Sequence, residues 1–555
     1  MRTATLKAII LILAAGALVR PQCVYADEPA KWIRENAIRM RSLNPLDQDF
    51  TDLAPLKKLI GNSRVVMLGE QTHGDGATFL GKTRLIEFLH AEMGFDVLCF
   101  ESGLYGCDRA WAAMRAGTDA ATAMKLGVFS IWMSSKQLVP LTEFLDKVAK
   151  TDRPMEICGY DCQLTGSASY LQLVKDIKKL AESSSPPALD QTRLAALEAY
   201  VTSLLAAKVL EDNTRLDGEV AIAALVQALH EPRFSPMLTP RDRDFWIHFL
   251  QSVRGLAEHR GRSKQLGLTL AERFNGRDQQ GGETLAWLAR ERYPDRKIIV
   301  WAASMHCVRR AERIDTMTAG LNYDGLRTAG HVATEVLGDS VFVISFTTGP
   351  GEAGTVMAKK WAVPPAPAGS LEAICAELEL GACIIPLRGS LDDSFGGSVF
   401  VARPLGNTPM RSRWRDNVDA FVFTPTTFPS AHVLPSRAYP FAYILAAERD
   451  KKFTAAFDLA NEALAENADN YSALYHYGRI AATSGQELER GLARLEKCLT
   501  LTPPEVTMSH ASVWHHIGVL QEKLEDTVRA RSAYDAALQL NPNHKEAAVA
   551  RARLQ

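Results

Sequence analysis

The 555-residue sequence has no excess of charge of either sign: 63 Lys and Arg stand against 64 Asp and Glu, a formal net charge of −1. That balance leaves no basic footprint for nucleic acid, and no single-sign run suggests a polyelectrolyte tail. After Val19 no apolar run is long enough to cross a bilayer. The nine cysteines are scattered without framework spacing. Cys158 and Cys162 enclose three residues, not the two of a redox or zinc motif. No Gly-x-Ser-x-Gly elbow occurs, which disfavours a serine hydrolase, and no His-x-x-x-His falls in the predicted core.

What is there is ordinary globular material, 47% hydrophobic and 23% charged, enough for a large core and at least two domains. Arg2 and Lys7 precede an apolar stretch from Ala8 to Val19, and Val24-Tyr25-Ala26 offers small residues at a cleavage site. Residues 1–26 therefore read as a secretory signal peptide, with an uncleaved anchor as the alternative. The expected location is periplasmic or secreted, where disulfides are permitted.

The most informative stretch is Val65–His73. Four apolar residues end at Gly69, Glu70 and His73 follow, and a helical pattern starts near Thr78. Such a run is expected of a parallel strand buried on both faces. The design recurs. Val97–Phe100 stops at Glu101, Met155–Cys158 leads into Gly159-Tyr160-Asp161, and Ile298–Ala303 leads to His306. Val341–Phe346 ends at Thr347-Thr348-Gly349. In open α/β sheets ligands bind beyond the carboxyl ends of the strands. If the runs share one sheet, Glu70, His73, Glu101, Asp161 and His306 line one pocket.

Residues 30–60 read as one or two short helices, and Phe79, Leu85, Ile86, Phe88 and Leu89 form the apolar stripe of the helix after the first strand. Lys82 and Arg84 near its start oppose the helix dipole, so either one of them faces the pocket or Lys82 is simply solvated. Residues 168–230 read as a helical insertion between strands, and Arg241-Asp242-Arg243-Asp244 then opens another helix. Phe400–Ala402 and Ala420–Phe423 look like closing strands, and Thr424–Pro440, with four prolines, reads as a linker. Beyond it Leu474-Tyr-His-Tyr-Gly478 resembles Trp514-His-His-Ile-Gly518 at a spacing of 40 residues. That repeat is similar to tetratricopeptide units; an ordinary helical tail is the plainer alternative.

Two imidazoles and several carboxylates suit hydrolysis without a covalent nucleophile. Glu70 and Glu101 can hold an imidazole in one tautomer, His73 can take a proton from water, and His306 can donate to a developing oxyanion or leaving group. The rival is a divalent metal held by the same groups, although Glu70 and His73 flank a strand end and do not share a helical face.

Gly69-Glu70-Gln71-Thr72-His73-Gly74, and Gly94-Phe95 leading to Phe100-Glu101, resemble the erythromycin esterase family. The resemblance continues through Gly159-Tyr160-Asp161, Arg241–Asp244, Val300-Trp301-Ala302 with His306, Gly338-Asp339, Ser345–Gly349 and Asp419-Ala420-Phe421, over roughly residues 35–425. It implies an α/β enzyme, a mostly parallel sheet flanked by helices with a helical subdomain over the cleft. It also implies water attack on an ester or lactone of macrolide or other type, with His73 as base and Glu70, Glu101 and His306 in support. Two positions depart from the pattern: Lys82 stands where the family often has Arg, and Ala303-Ser304-Met305-His306 lacks the first imidazole of Ala-His-Asn-x-His.

The expectation is thus a signal peptide over 1–26, a catalytic domain over 27–430, and a linker with tetratricopeptide-like repeats over 431–555. Lys82, Asp161, Tyr105 and Trp132 are the residues expected to touch a small ester or lactone. No cofactor is expected, and the repeats suggest a protein or peptide partner. A different class of reading makes the chain an envelope adaptor that is catalytically idle, or holds a metal or haem-like ligand, and acts through the repeats.

Overall fold

Successive residues of the central strands are buried on opposite faces of one sheet. Val65, Met67, Val97, Cys99, Ile298, Val300, Val341 and Val343 enter one core. Their neighbours Val66, Leu68, Leu98, Phe100, Ile299, Trp301, Phe342 and Ile344 enter another. Both faces are apolar because both are covered, so these strands read as unbroken hydrophobic runs. The computed structural model describes residues 27–554 except 185, 207–208, 233–237, 264–266, 356–359, 432–443, 445–446, 449–450, 467 and 504–507. The expected signal segment, residues 1–26, lies outside the described residues.

The sheet has eight strands: β1 (Ile38–Arg39), β2 (Val65–Glu70), β3 (Phe95–Gly103), β4 (Glu156–Asp161), β5 (Lys297–Ala303), β6 (Val341–Thr348), β9 (Cys383–Pro386) and β12 (Ala420–Thr424). Their order is β1-β9-β12-β6-β2-β5-β3-β4, parallel from β12 to β4. Only β9 breaks the rule, antiparallel to both of its neighbours. The chain leaves β2 toward β3 and β4, then returns through β5 to β6 on the other side of β2. The carboxyl ends of β2 and β5 therefore mark the reversal of strand order, where α/β sheets open a crevice.

Helices Gly76–Met93 and Val139–Val148 cover one face of the sheet. Leu270–Trp287, Ala329–Leu337 and Leu371–Glu377 cover the other. Between β4 and β5 lies the helical insertion, whose helices Gln191–Leu205, Asp212–Leu229 and Pro240–Ser263 pack around Leu197, Tyr200, Leu225, Phe245 and Phe249. No described helix is long and apolar enough to cross a membrane.

Two expectations need correction. Phe400–Ala402 does not close the main sheet: as β10 it pairs antiparallel with β11 (Met410–Ser412), and Trp414 Nε1 donates to the Phe400 carbonyl at 3.0 Å. The last positions at the sheet edge belong instead to β9 and β1, of four and two residues, too short to show a pattern. Nor is the start of the proline-rich stretch free linker. The Gly76 amide donates to the Phe428 carbonyl at 2.8 Å, Ser430 to Gly74 at 3.1 Å and Lys136 to Ala431 at 2.7 Å. These bonds lace residues 428–431 to the turn after β2 and to Lys136; the rest of the expected linker, 432–440, lies outside the described residues. A further ribbon, β7 (Gly351–Ala353) with β8 (Trp361–Val363), abuts the same turn through Gly354 N–H to Gly74 O at 2.9 Å.

The C-terminal region is all helix, from Phe453–Glu466 to Lys545–Arg553, with cores of its own. The repeated glycines have one structural meaning. A Cβ on Gly478 would lie 2.2 Å from Leu495 Cγ, and one on Gly518 would lie 2.4 Å from Tyr534 Cε1. In both places a missing side chain admits a large one from the next helix.

Candidate active site

The site is built at the carboxyl ends of β2, β3, β4 and β5. Glu70 is the last residue of β2 and has no exposed surface. Its Oε1 accepts from Trp132 Nε1 at 2.8 Å and lies 2.9 Å from His73 Nδ1, while Oε2 pairs with Lys82 Nζ. Lys82, equally enclosed, also donates to the Ala302 carbonyl at 3.2 Å and sits 4.2 Å above the Trp301 ring. An ionised Glu70 accepts only, so it fixes the His73 proton on Nδ1. That leaves Nε2 of His73 as the basic lone pair, with no hydrogen-bond partner among the described residues. The ring stands edge-on to Trp132, with centroids 5.3 Å apart, and keeps 31% of its side-chain surface exposed. Burial disfavours its cation, but the Glu70 hydrogen bond and the charges of Glu70 and Glu101 outweigh that and raise its pKa above 6.5.

The second half of the site is a buried charge cluster. Glu101 Oε2 accepts the Ala303 amide at 2.9 Å, and Oε1 lies 2.8 Å from Arg277 Nη2 and 3.1 Å from His306 Nε2. Arg277 Nε also reaches both oxygens of Asp161, at 3.1 and 3.0 Å. On the far side of His306, Nδ1 lies 2.6 Å from Asp278 Oδ1. Burial opposes the His306 cation, yet the carboxylates of Asp278 and Glu101 push its pKa up to about 10, and it is an imidazolium at neutral pH. Burial likewise raises the Glu101 carboxyl, but His306 and Arg277 hold it well below the usual range.

The structure thus brings Glu70, His73, Glu101, Asp161 and His306 together, with Trp132 as a donor to Glu70. The residues expected to touch substrate sit differently. Lys82 is neither solvated nor on the pocket surface but enclosed beneath Glu70. Asp161 is taken up by Arg277. Tyr105 lies in the insertion core, its ring packed on Trp246 and Phe249 and its hydroxyl donating to Asp176 at 2.7 Å. Arg84, the other cation of that first helix, is tied to Asp52 at 2.8 Å.

Arg277 and Asp278 were not foreseen. Both lie on the Leu270–Trp287 helix, which follows the insertion and starts in a capping box of Thr269 and Glu272. The available signal was Asp278 itself, a carboxylate on the stripe formed by Ala271, Gly281, Gly282 and Leu285. As for a divalent metal, the centre of the cluster holds the Arg277 guanidinium, and the carboxylates around it are paired with cations. Among the described residues no group of three or more His, Cys, Asp or Glu is arranged as ligands.

The close approach of β2 to the helix that carries His306 depends on one glycine. A Cβ on Gly69 would lie 2.7 Å from Ser304 Oγ and 2.8 Å from its Cα, in the short Ser304–Cys307 helix that carries His306. Gly69→Ala should therefore displace Ser304 and lower stability by about 1–3 kcal/mol, read as a lower urea midpoint with unchanged slope.

A cluster of paired charges at the carboxyl ends of the parallel strands, beside the reversal of strand order, is the placement expected of a ligand site in an open α/β fold. The erythromycin esterase family profile matches residues 90–427, and the chain belongs to that family. YbfO of Bacillus subtilis (strain 168), described as a candidate hydrolase, is 26% identical over 364 residues, covering 62% of this chain and 78% of the relative. Erythromycin esterase type II of Escherichia coli is 37% identical over 73 residues, 13% of this chain and 17% of its own length. Solved structures agree on the fold. A Bacillus cereus protein aligns with TM-score 0.59 at 17% identity, covering 73% of this chain and 99% of its own. A mutant of the erythromycin esterase EreC in its open conformation gives 0.53 at 16% identity, covering 72% and 99%.

Proposed function

We propose that this protein is an exported hydrolase that activates water for attack on a carboxylic ester or lactone. The observation that supports this most is the free Nε2 of His73, on a ring whose Nδ1 proton is held by a carboxylate already committed to Trp132 and Lys82. Family membership and the hydrolase description of YbfO support the same reaction class.

In this reading Nε2 takes a proton from water as its oxygen bonds to the substrate carbonyl carbon, and the carbonyl π electrons move to oxygen. The imidazolium of His306 and the Arg277 guanidinium place positive charge beside that oxyanion. Collapse re-forms the carbonyl, breaks the bond to the alcohol oxygen, and returns the proton from His73 to that leaving group. The products are an acid and an alcohol, or one hydroxy acid from a lactone. Residues 1–26 direct export, and the helices beyond residue 431 form a tetratricopeptide-like module for a protein or peptide partner.

The test is mass-spectrometric turnover of an ester and lactone panel that includes macrolides, since one relative is named an erythromycin esterase. Wild type should yield a product heavier by one water, and His73→Ala should lose about 10²–10⁴-fold in rate while staying folded. Equal turnover by the two proteins would end the assignment of His73 as base.

A further inference from the structure

His306 carries the positive charge of the site but has no proton to spare: one ring nitrogen faces Asp278 and the other Glu101. A donor for a developing oxyanion must therefore come from elsewhere. Arg277 offers five N–H groups in a fixed fork. Its Nε and Nη2 are taken by Asp161 and Glu101. Among the described residues its Nη1, with two hydrogens, meets only His306 Nε2, at 3.4 Å. A protonated Nε2 cannot accept, so that approach is a contact between two cations and leaves both Nη1 hydrogens unpaired. Arg277 is also the least enclosed member of the cluster, with 12% of its side chain exposed against 9% for His306, 5% for Glu101 and 3% for Asp161.

We propose that Arg277 is a catalytic residue, its Nη1 pair being the preorganised donor for the oxyanion of the tetrahedral intermediate, with Asp161 and Glu101 as its positioning residues. This rests on the hydrolase reading above. The chemistry follows from the geometry. Two carboxylates hold the guanidinium through Nε and Nη2 and leave the Nη1 pair fixed in place, so no reorganisation is needed as charge builds on the carbonyl oxygen. Lysine, with a single ammonium, cannot hold Asp161 and Glu101 and still present a free donor pair. His306, locked between carboxylates, repels Nη1 and keeps it from turning inward. No bond to Arg277 forms or breaks; it donates hydrogen bonds, and the proton of the attacking water still goes to His73.

The test uses phenylphosphonate, a stable tetrahedral anion, titrated into the full-length protein with [15N]arginine-labelled side chains. The Arg277 guanidinium resonance, assigned as the one missing from Arg277→Lys, should shift on addition of the probe. Arg277→Lys, which keeps a cation among the buried carboxylates, should bind the probe about tenfold or more weakly with little change in melting temperature. Asp161→Asn keeps the packing but loosens the clamp, and should weaken binding several-fold with Arg277 present. The proposal is overturned if wild type fails to bind at millimolar probe, if the Arg277 signal does not move, or if Arg277→Lys binds as tightly as wild type. Binding through Arg277 by a protein that turns over no ester would keep the anion site and remove the hydrolase reading instead.

Discussion

Glu70→Ala is expected to give the largest loss of any single substitution, in activity and in stability together. Removing this carboxylate frees the Nδ1 proton of His73, so the ring can take the tautomer that leaves no lone pair on Nε2. The proposed rate should fall by about 10³–10⁴-fold, the scale seen when the orienting carboxylate of a catalytic imidazole is lost. The stability effect comes from Lys82. Its ammonium is wholly enclosed, and its ionic partner is Glu70. Breaking a buried pair from one side leaves an uncompensated charge, at a cost of about 3–5 kcal/mol. Burial already lowers the Lys82 pKa below 10.5 against the opposing pull of Glu70. Without Glu70 it falls further, and the folded state then binds fewer protons than the unfolded chain. Stability of the variant should therefore rise with pH toward the lysine range. Urea titrations at about pH 6 and about pH 9.5 should show the larger deficit at the lower value. The double variant Glu70→Gln with Lys82→Met removes both charges and should recover most of the stability with none of the rate. A Glu70→Ala protein with normal turnover, or with a pH-independent deficit, would contradict the roles given to both residues.

The legible part of the fold was the part buried on two faces. β2, β3, β5 and β6 announce themselves as apolar runs, and β4 does so despite Glu156, whose carboxylate is caged by Arg241, Arg296 and the Tyr293 hydroxyl. β1 and β9 left no pattern, because two and four residues are shorter than any periodicity. β10 misled for a different reason: three alternating residues suit a small antiparallel ribbon as well as a sheet edge, and only its partner β11 decides. In the site, residues delivered by strand ends could be read from the sequence, since topology alone assembles them. Lys82 was half legible. Its dipole conflict signalled an unusual environment, but whether that meant the pocket or the space beneath Glu70 depends on Trp301 and Ala302, 220 residues away. Arg277 and Asp278 were hidden by the insertion, which separates their helix in sequence from every strand that it touches. Tyr105 sits away from the cluster because β3 gives way at Gly103 to a helix that carries its ring into the core of the insertion.

Asp278→Asn should expose how much of the cluster's charge is held in place by that unforeseen helix. In the wild type the imidazolium of His306 persists to about pH 10, with burial opposing it and Asp278 the largest favourable influence. Asparagine can still accept a hydrogen bond from Nδ1 but contributes no charge, while burial and Arg277 continue to disfavour the cation. The His306 pKa should then drop by several units, followed through its ring proton in an NMR titration. The sign of the stability change follows from linkage. A histidine whose folded pKa is raised adds stability that is complete below its unfolded value, near 6.5, and is lost as pH rises to about 10. Removing Asp278 removes that contribution, so the variant should lose on the order of 4 kcal/mol at about pH 6 and much less above about pH 10. In the proposed reaction kcat should fall far more than KM changes, because the charge of His306 acts on the oxyanion and not on the neutral ester. Asp278→Glu retains the charge and should restore most of the His306 pKa even if the longer side chain disturbs packing. A residue that merely filled space would leave the pKa where it was, and an unchanged titration of His306 in Asp278→Asn would refute its place in the site.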